Sequence, residues 1–254
     1  MTTSGGIPTS YCGSRSRSSL VGAGKRSIDG LIGLLFPPHC VLCGERLDSL
    51  RILCQECEAR LPELPGPRCR CCGEALSDPS LDLCLWCGTR ERTVEHFHSL
   101  GSYDGPWGEL VRALKFDKET AVGRFLAGRM AEWVRLHNIA STFDLVTFVP
   151  MSPSDRRKRG FNQAELLARG MARRLRRPVC RTLMKVRRTA PQDRLTARQR
   201  RTNLRNAFRL LRYGRERVLL VDDVGTTGST VEECARVLKR GGYESLVVLT
   251  VARA

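Results

Sequence analysis

Val218-Leu-Leu-Val-Asp-Asp-Val-Gly-Thr-Thr-Gly-Ser-Thr230 is the stretch that decides the fold of this 254-residue chain. The apolar run Val218–Val221 reads as a strand. Val231–Lys239 has helical spacing, Gly241-Gly242 ends it, and Ser245–Val251 reads as a second strand. Strand, polar turn, helix, strand is a βαβ unit of a parallel sheet. Ligands of such sheets bind beyond the carboxyl ends of the strands, where the turn after Val221 sits.

The side chains of that turn specify a ligand chemistry. Gly225 and Gly228 let the backbone approach a ligand closely. Thr226, Thr227, Ser229 and Thr230 add hydroxyl donors, and the helix that begins there directs its first N–H groups and positive dipole end to the same place. With Val224 these residues form an anion cradle suited to a phosphate monoester. Asp222 and Asp223 would repel a phosphate, so they suit hydroxyls or a metal ion. Phosphate on the turn and vicinal hydroxyls on the acids describe a ribose 5-phosphate ester. No Gly-Lys-Ser/Thr follows, which excludes a P-loop.

Upstream, Trp107–Phe116 and Val122–Val134 carry apolar residues at helical spacing and are expected to pack in the core. Phe143–Pro150 reads as a buried strand, and Ala164–Leu175 as a helix opened near Asn162. Before Val94 the pattern is of another kind. Eight cysteines form four CxxC pairs: Cys40/Cys43, Cys54/Cys57, Cys69/Cys72 and Cys84/Cys87. Cys40–Glu45 with Leu47 matches Cys69–Glu74 with Leu76, and Leu53-Cys54-x-x-Cys57 matches Leu83-Cys84-x-x-Cys87, so one unit is written twice. Two cysteines three apart across a turn both reach one ion at about 2.3 Å, and two such turns give a closed four-thiolate Zn²⁺ shell, which is structural. Gly44, Gly73 and Gly88 follow second cysteines, where the chain is expected to need unusual dihedrals. The repeat aligns Cys71 with Leu42, which leaves Cys72 as the ligand. It favours sequential pairing of the knuckles, with a cross-braced pairing as the alternative.

The net charge of +17 is concentrated. Residues 156–217 hold 22 Lys and Arg against three acids, a net +19, while the rest of the chain is close to neutral. Such a segment attracts phosphates, pyrophosphates or nucleic acid. It has few aromatic residues (Phe161, Phe208 and Tyr213), so a grip on DNA would run through backbone phosphates rather than base stacking. Apolar runs such as Leu31–Phe36 are far short of the roughly 20 residues of a membrane span, and no apolar segment of a secretory signal follows Met1. A cytoplasmic protein without a membrane span is expected. Residues 1–27, rich in Ser, Gly and Arg and free of acids, read as a disordered tail. Residues 28–93 read as a double zinc ribbon and 94–254 as an α/β domain.

Val218–Thr230 resembles the phosphoribosyl-pyrophosphate (PRPP) motif of type I phosphoribosyltransferases. Together with Leu35-Phe-Pro-Pro-x-Cys, the CxxC repeat, Arg159-Gly-Phe-Asn-Gln163 and Gln192-x-x-Leu-x4-Arg200-x-x-Asn203, it makes the chain resemble the ComF family from about residue 30 to the end. The resemblance implies an α/β phosphoribosyltransferase-like fold with a mainly parallel sheet. It implies that Asp222 and Asp223 hold ribose hydroxyls, that 224–230 hold the 5-phosphate, and that Mg²⁺ accompanies PRPP. It makes 150–159 a pyrophosphate-binding loop with Arg157 and Arg159 as its cations, although Ser152, Ser154 and Asp155 depart from the family's commoner His and basic residues. It makes 187–203 a flexible active-site loop. A phosphoribosyltransferase of unknown acceptor, in nucleoside metabolism or DNA uptake, is one reading. A non-catalytic competence factor that holds single-stranded DNA beside helicase or processing proteins is the other.

Overall fold

A computed structural model of the chain describes residues 38–48, 51–89, 93–116, 120–187, 204–226 and 228–254. The tail, the run before Pro37, most of the 187–203 loop and Thr227 lie outside the described residues.

The sequence repeat is also a hydrogen-bond repeat. Cys40 N–H donates to Glu45 O (2.7 Å) and Cys69 N–H to Glu74 O (2.8 Å); Gly44 and Gly73 N–H donate to Cys40 and Cys69 O, both at 2.8 Å. Val41 N–H reaches Ile52 O, and Arg70 N–H reaches Asp82 O, both at 2.9 Å. Each unit is one turn-shaped knuckle followed by one short helix, α1 (Gln55–Ala59) and α2 (Leu85–Gly88). Gly44 (φ 75°) and Gly73 (φ 72°) occupy the left-handed region, which is open to glycine at no steric cost. Gly88 does not: it closes the helical turn of α2, where Thr89 caps the end, so the dihedral expectation fails there.

The α/β half is built on one parallel sheet. β1 (His96–Ser102) leads into α3 (Pro106–Phe116) and α4 (Thr120–Leu136). β2 (Leu145–Phe148) is followed by α5 (Pro153–Arg159) and α6 (Gln163–Leu175). A hairpin of β3 (Leu183–Lys185) and β4 (Phe208–Leu210) precedes β5 (Val218–Gly225), α7 (Ser229–Arg240) and β6 (Leu246–Arg253). The order in the sheet is β1-β6-β5-β2, with all three pairings parallel. Both faces are covered, so β6 is buried along its whole length and β5 over Val218–Val221. α7 is amphipathic and turns Val231, Cys234, Ala235 and Leu238 into the core. Each fully buried Val or Leu contributes about 1.5–3 kcal/mol. α6 starts where expected, with the Asn162 side chain accepting from Ala164 N–H (3.1 Å) and donating to Val149 O (3.0 Å).

Because β2, β5 and β6 run in parallel, their carboxyl ends lie along one edge. Val149 N–H donates to Val221 O (3.0 Å), and Arg253 is in register with Gly225. The segments after Phe148 and Val221 therefore emerge side by side.

Candidate functional site

The zinc ligands fall into two tetrads, Cys40/Cys43/Cys54/Cys57 and Cys69/Cys72/Cys84/Cys87, each with all sulfurs within 4.8 Å of one another. The pairing is sequential, and Cys71 belongs to neither group. The Cys43–Cys54 and Cys72–Cys84 sulfur pairs are both 3.8 Å apart. A tetrahedron with Zn–S bonds of about 2.3 Å has edges of about 3.8 Å, so the sulfurs stand where Zn²⁺ needs them. Burial disfavours the Cys40 thiolate, yet backbone N–H groups of Cys43, Cys54 and Leu42 outweigh it and hold that thiol down to about 6. The hydrogen bond to Cys54 and then burial push Cys57 up, and burial pushes Cys72 up to about 12. Sulfurs this close ionise together only around a shared cation, which the structural Zn²⁺ supplies.

Near the carboxyl end of β5 stands the acid pair Asp222-Asp223. Asp223 N–H donates to Asp222 Oδ1 (2.9 Å) and Val224 N–H to Asp223 Oδ1 (2.7 Å), so each carboxylate is anchored by the next residue's backbone. Lys115, at the end of α3, pairs with Asp223 (Nζ–Oδ2 3.0 Å), both side chains less than one-fifth exposed. Burial, followed by the charge of Asp223, drives Asp222 well above the usual carboxylate range. Lys185 on β3 faces the same edge: burial lowers its pKa, opposed by the charges of Asp155, Cys234 and Asp222. Neither lysine stood out in the sequence, because a single Lys among 43 basic residues carries no local signal.

Gly228 takes φ 72° as the residue before α7, and its carbonyl accepts the first helical bond from Glu232 N–H (2.8 Å). Ser229 is buried and Thr230 half-buried in the first turn. Gly225 also packs closely on the protein itself: a Cβ there would come within 2.3 Å of the Phe97 ring.

The segment after β2 departs from the expected loop. Residues 153–159 are the helix α5, because Ser152-Pro-x-Asp155 is an N-terminal capping sequence. Ser152 Oγ accepts from Asp155 N–H (3.2 Å) and donates to Asp155 Oδ2 (2.6 Å), so the residues that depart from the family pattern build the cap. On α5, Arg156 is paired with Glu165 (3.3 Å), Arg157 and Lys158 are exposed, and Arg159 is half-buried. Arg157 and Arg159 form no ion pair among the described residues.

A double zinc ribbon domain family matches residues 31–94. Over 229 residues the chain is 34% identical to DNA utilization protein YhgH of Salmonella typhimurium, covering 87% of this chain and 99% of that one. It is 32% identical to Competence protein F of Haemophilus influenzae over 226 residues, 85% of this chain and 97% of that one. The chain belongs to the ComF family. A more distant ComF relative, competence protein ComFC of Streptococcus pneumoniae, is 22% identical over 84% of this chain. Among solved structures, the allosteric regulatory enzyme of purine biosynthesis aligns over 50% of this chain and 25% of its own, with 23% identity and a TM-score of 0.35. Leishmania donovani UMP synthase aligns over 55% and 24%, with 20% identity and a TM-score of 0.32. This ComF family member is a double zinc ribbon followed by an α/β domain built on a parallel sheet. No helix of the described residues is long and apolar enough to cross a membrane.

Proposed function

We propose that this ComF family member binds PRPP, or another ribose 5-phosphate ester, at the β5–α7 turn in the service of DNA uptake, with 28–93 as its zinc module and 94–254 as its ligand-binding domain. The observation that carries this reading is the juxtaposition of two unlike groups at one sheet edge. An acid pair stands near the carboxyl end of β5, and a glycine-led helix N-terminus follows within five residues. The N-terminus of the 12-residue α7 favours the 5-phosphate. Asp222 and Asp223, with no phosphate charge to oppose, accept hydrogen bonds from the ribose hydroxyls. Mg²⁺, when bound, would screen the pyrophosphate charge beside these carboxylates. Lys115 is the counter-ion that the Asp223 carboxylate keeps until ribose or cation takes its place. Arg157, Arg159 and Lys185 supply positive charge toward the leaving group, arginine by its bidentate fork. In a transfer reaction the bond from ribose C1 to pyrophosphate breaks as the bond to a nucleophilic acceptor forms, and pyrophosphate leaves with the electron pair. These cations would bear the charge that develops.

Single-stranded DNA is the second ligand of the proposal. It is favoured by the exposed Arg157 and Lys158 on α5, within the segment of net +19. Calorimetry of the zinc-loaded protein with PRPP, with and without Mg²⁺, tests the first part. Binding that strengthens with Mg²⁺ is expected; no binding under either condition overturns it.

A further inference from the structure

The second zinc tetrad sits against the β5–α7 turn. A Cβ placed on Gly228 would lie 4.0 Å from Cβ of the zinc ligand Cys72. Beside them Phe97, 5% exposed, is clasped by two glycines. A Cβ on Gly73, in the knuckle, would come within 2.7 Å of its ring, and one on Gly225, at the start of the turn, within 2.3 Å. Phe97 N–H also donates to Arg70 O of the same knuckle (2.5 Å).

Arg253 completes the connection. It is 8% exposed, and its guanidinium spans both sides. Nε donates to Cys72 O (3.2 Å) and Nη2 to the Glu74 carboxylate (2.7 Å) on the knuckle. Nη1 donates to Gly225 O (3.3 Å) on the turn and to Ala254 O. Gly225 O accepts a second bond, from Ala254 N–H (2.8 Å). A planar fork with every nitrogen engaged holds two backbones at a fixed separation, which a flexible ammonium does not.

We infer that the second zinc centre, through Phe97 and the positioning residue Arg253, sets the backbone of Gly225 and Gly228 and so tunes the affinity of the β5–α7 turn for a phosphate ester. This rests on the reading that the turn takes a ribose 5-phosphate ester. Zinc fixes the Cys69–Glu74 knuckle; the knuckle fixes Phe97 and Arg253; these fix the turn. Zinc occupancy and ester binding are then coupled, and the coupling is reciprocal: ester must raise zinc affinity by the factor by which zinc raises ester affinity. The contacts run to the second tetrad's knuckle, so the coupling is specific to that site.

The full-length two-zinc protein is equilibrated over a series of buffered free-zinc concentrations, with and without saturating ribose 5-phosphate. Cysteines are then pulse-alkylated and quantified by mass spectrometry. The free-zinc midpoint for protection of Cys69, Cys72, Cys84 and Cys87 is expected to fall about fivefold or more with ribose 5-phosphate. That for Cys40, Cys43, Cys54 and Cys57 should stay in place. Arg253→Met should abolish the ligand-dependent shift. Glu74→Gln, at a side chain 59% exposed and so safe for folding, should reduce it. If calorimetry shows ribose 5-phosphate bound while the second midpoint is unmoved, or while both midpoints move alike, the inference is wrong and the ester site stands. If neither ribose 5-phosphate nor PRPP binds the zinc-loaded protein, the ester reading falls and the inference with it.

Discussion

Replacing His98 with phenylalanine should make the protein more resistant to mild acid. His98 lies on β1 in an aromatic row: its ring stacks on His96 (5.9 Å between centroids) and tilts against Trp133 (5.0 Å), which in turn stacks on His137 (4.0 Å). Burial, then the charges of His96 and His137, lower its pKa from 6.5 to about 4. The folded state therefore keeps the ring neutral while the unfolded chain binds a proton below about 6.5. Above that pH the arrangement costs nothing. As pH falls toward about 4, the unfolded state is progressively favoured, and the full penalty is about 3 kcal/mol at 1.36 kcal/mol per unit. Between pH 7 and pH 5 the penalty grows by about 2 kcal/mol. Phenylalanine keeps the stacking and cannot titrate. The assay is urea unfolding of both proteins at the two pH values in the same zinc buffer, so that acid release of zinc enters both alike. The variant's stability relative to wild type should rise by about 2 kcal/mol on going from pH 7 to pH 5. A difference that is the same at both pH values, within about 0.5 kcal/mol, would refute the assignment of a half-buried ring held neutral by the fold.

Metal analysis should find two zinc ions per chain; Cys43→Ser should lose one of them, whereas Cys71→Ser should keep both, and a single zinc in the native protein contradicts the paired tetrads. Thr227→Val should weaken ribose 5-phosphate binding by about 1–3 kcal/mol, the cost of leaving a charged acceptor without its donor, as read by calorimetry. Asp223→Asn should weaken PRPP more than inorganic phosphate, since it removes a hydroxyl acceptor and leaves the phosphate cradle intact; equal effects on the two ligands would contradict that division of labour. Binding of single-stranded DNA should be insensitive to sequence and steeply salt-dependent, and changing Arg157 and Lys158 to Gln should reduce the salt slope by about 1.4, at about 0.7 per neutralised phosphate, in fluorescence anisotropy.

The parts of the fold that were legible in the sequence are those whose signal is local. The β5–α7–β6 unit is contiguous, and its apolar runs bracket a polar turn. The zinc tetrads were legible down to the choice of Cys72 over Cys71, because a repeat supplies its own alignment. What stayed hidden was assembled from afar. Lys115 reaches Asp223 across more than 100 residues of chain, and Arg253 reaches Cys72 across still more. Their meeting depends on the strand order β1-β6-β5-β2, which no periodicity encodes. Two local readings also failed for local reasons. Gly88 shares its place after a cysteine with Gly44 and Gly73, but the second knuckle of each unit is helical. Residues 150–159 match the family's loop by resemblance, yet Ser152, Pro153 and Asp155 are a helix start.

The strand order has a consequence for how the molecule is born. β6 follows β1, β2 and β5 in chain order, and it lies inside the sheet between β1 and β5. Until its residues leave the ribosome, β1 has no hydrogen-bonded neighbour in that sheet, and the β2–β5 pair shows an open apolar edge. The zinc tetrads, by contrast, each close a loop of fewer than about 20 residues and are complete early. Synthesis therefore yields a metal-loaded N-terminal module joined to an α/β half that condenses in one late, non-local step. Such a step is slow and exposes strand edges to other chains while it waits. Yield in a recombinant host should thus respond to chaperone supply and temperature more than to added zinc.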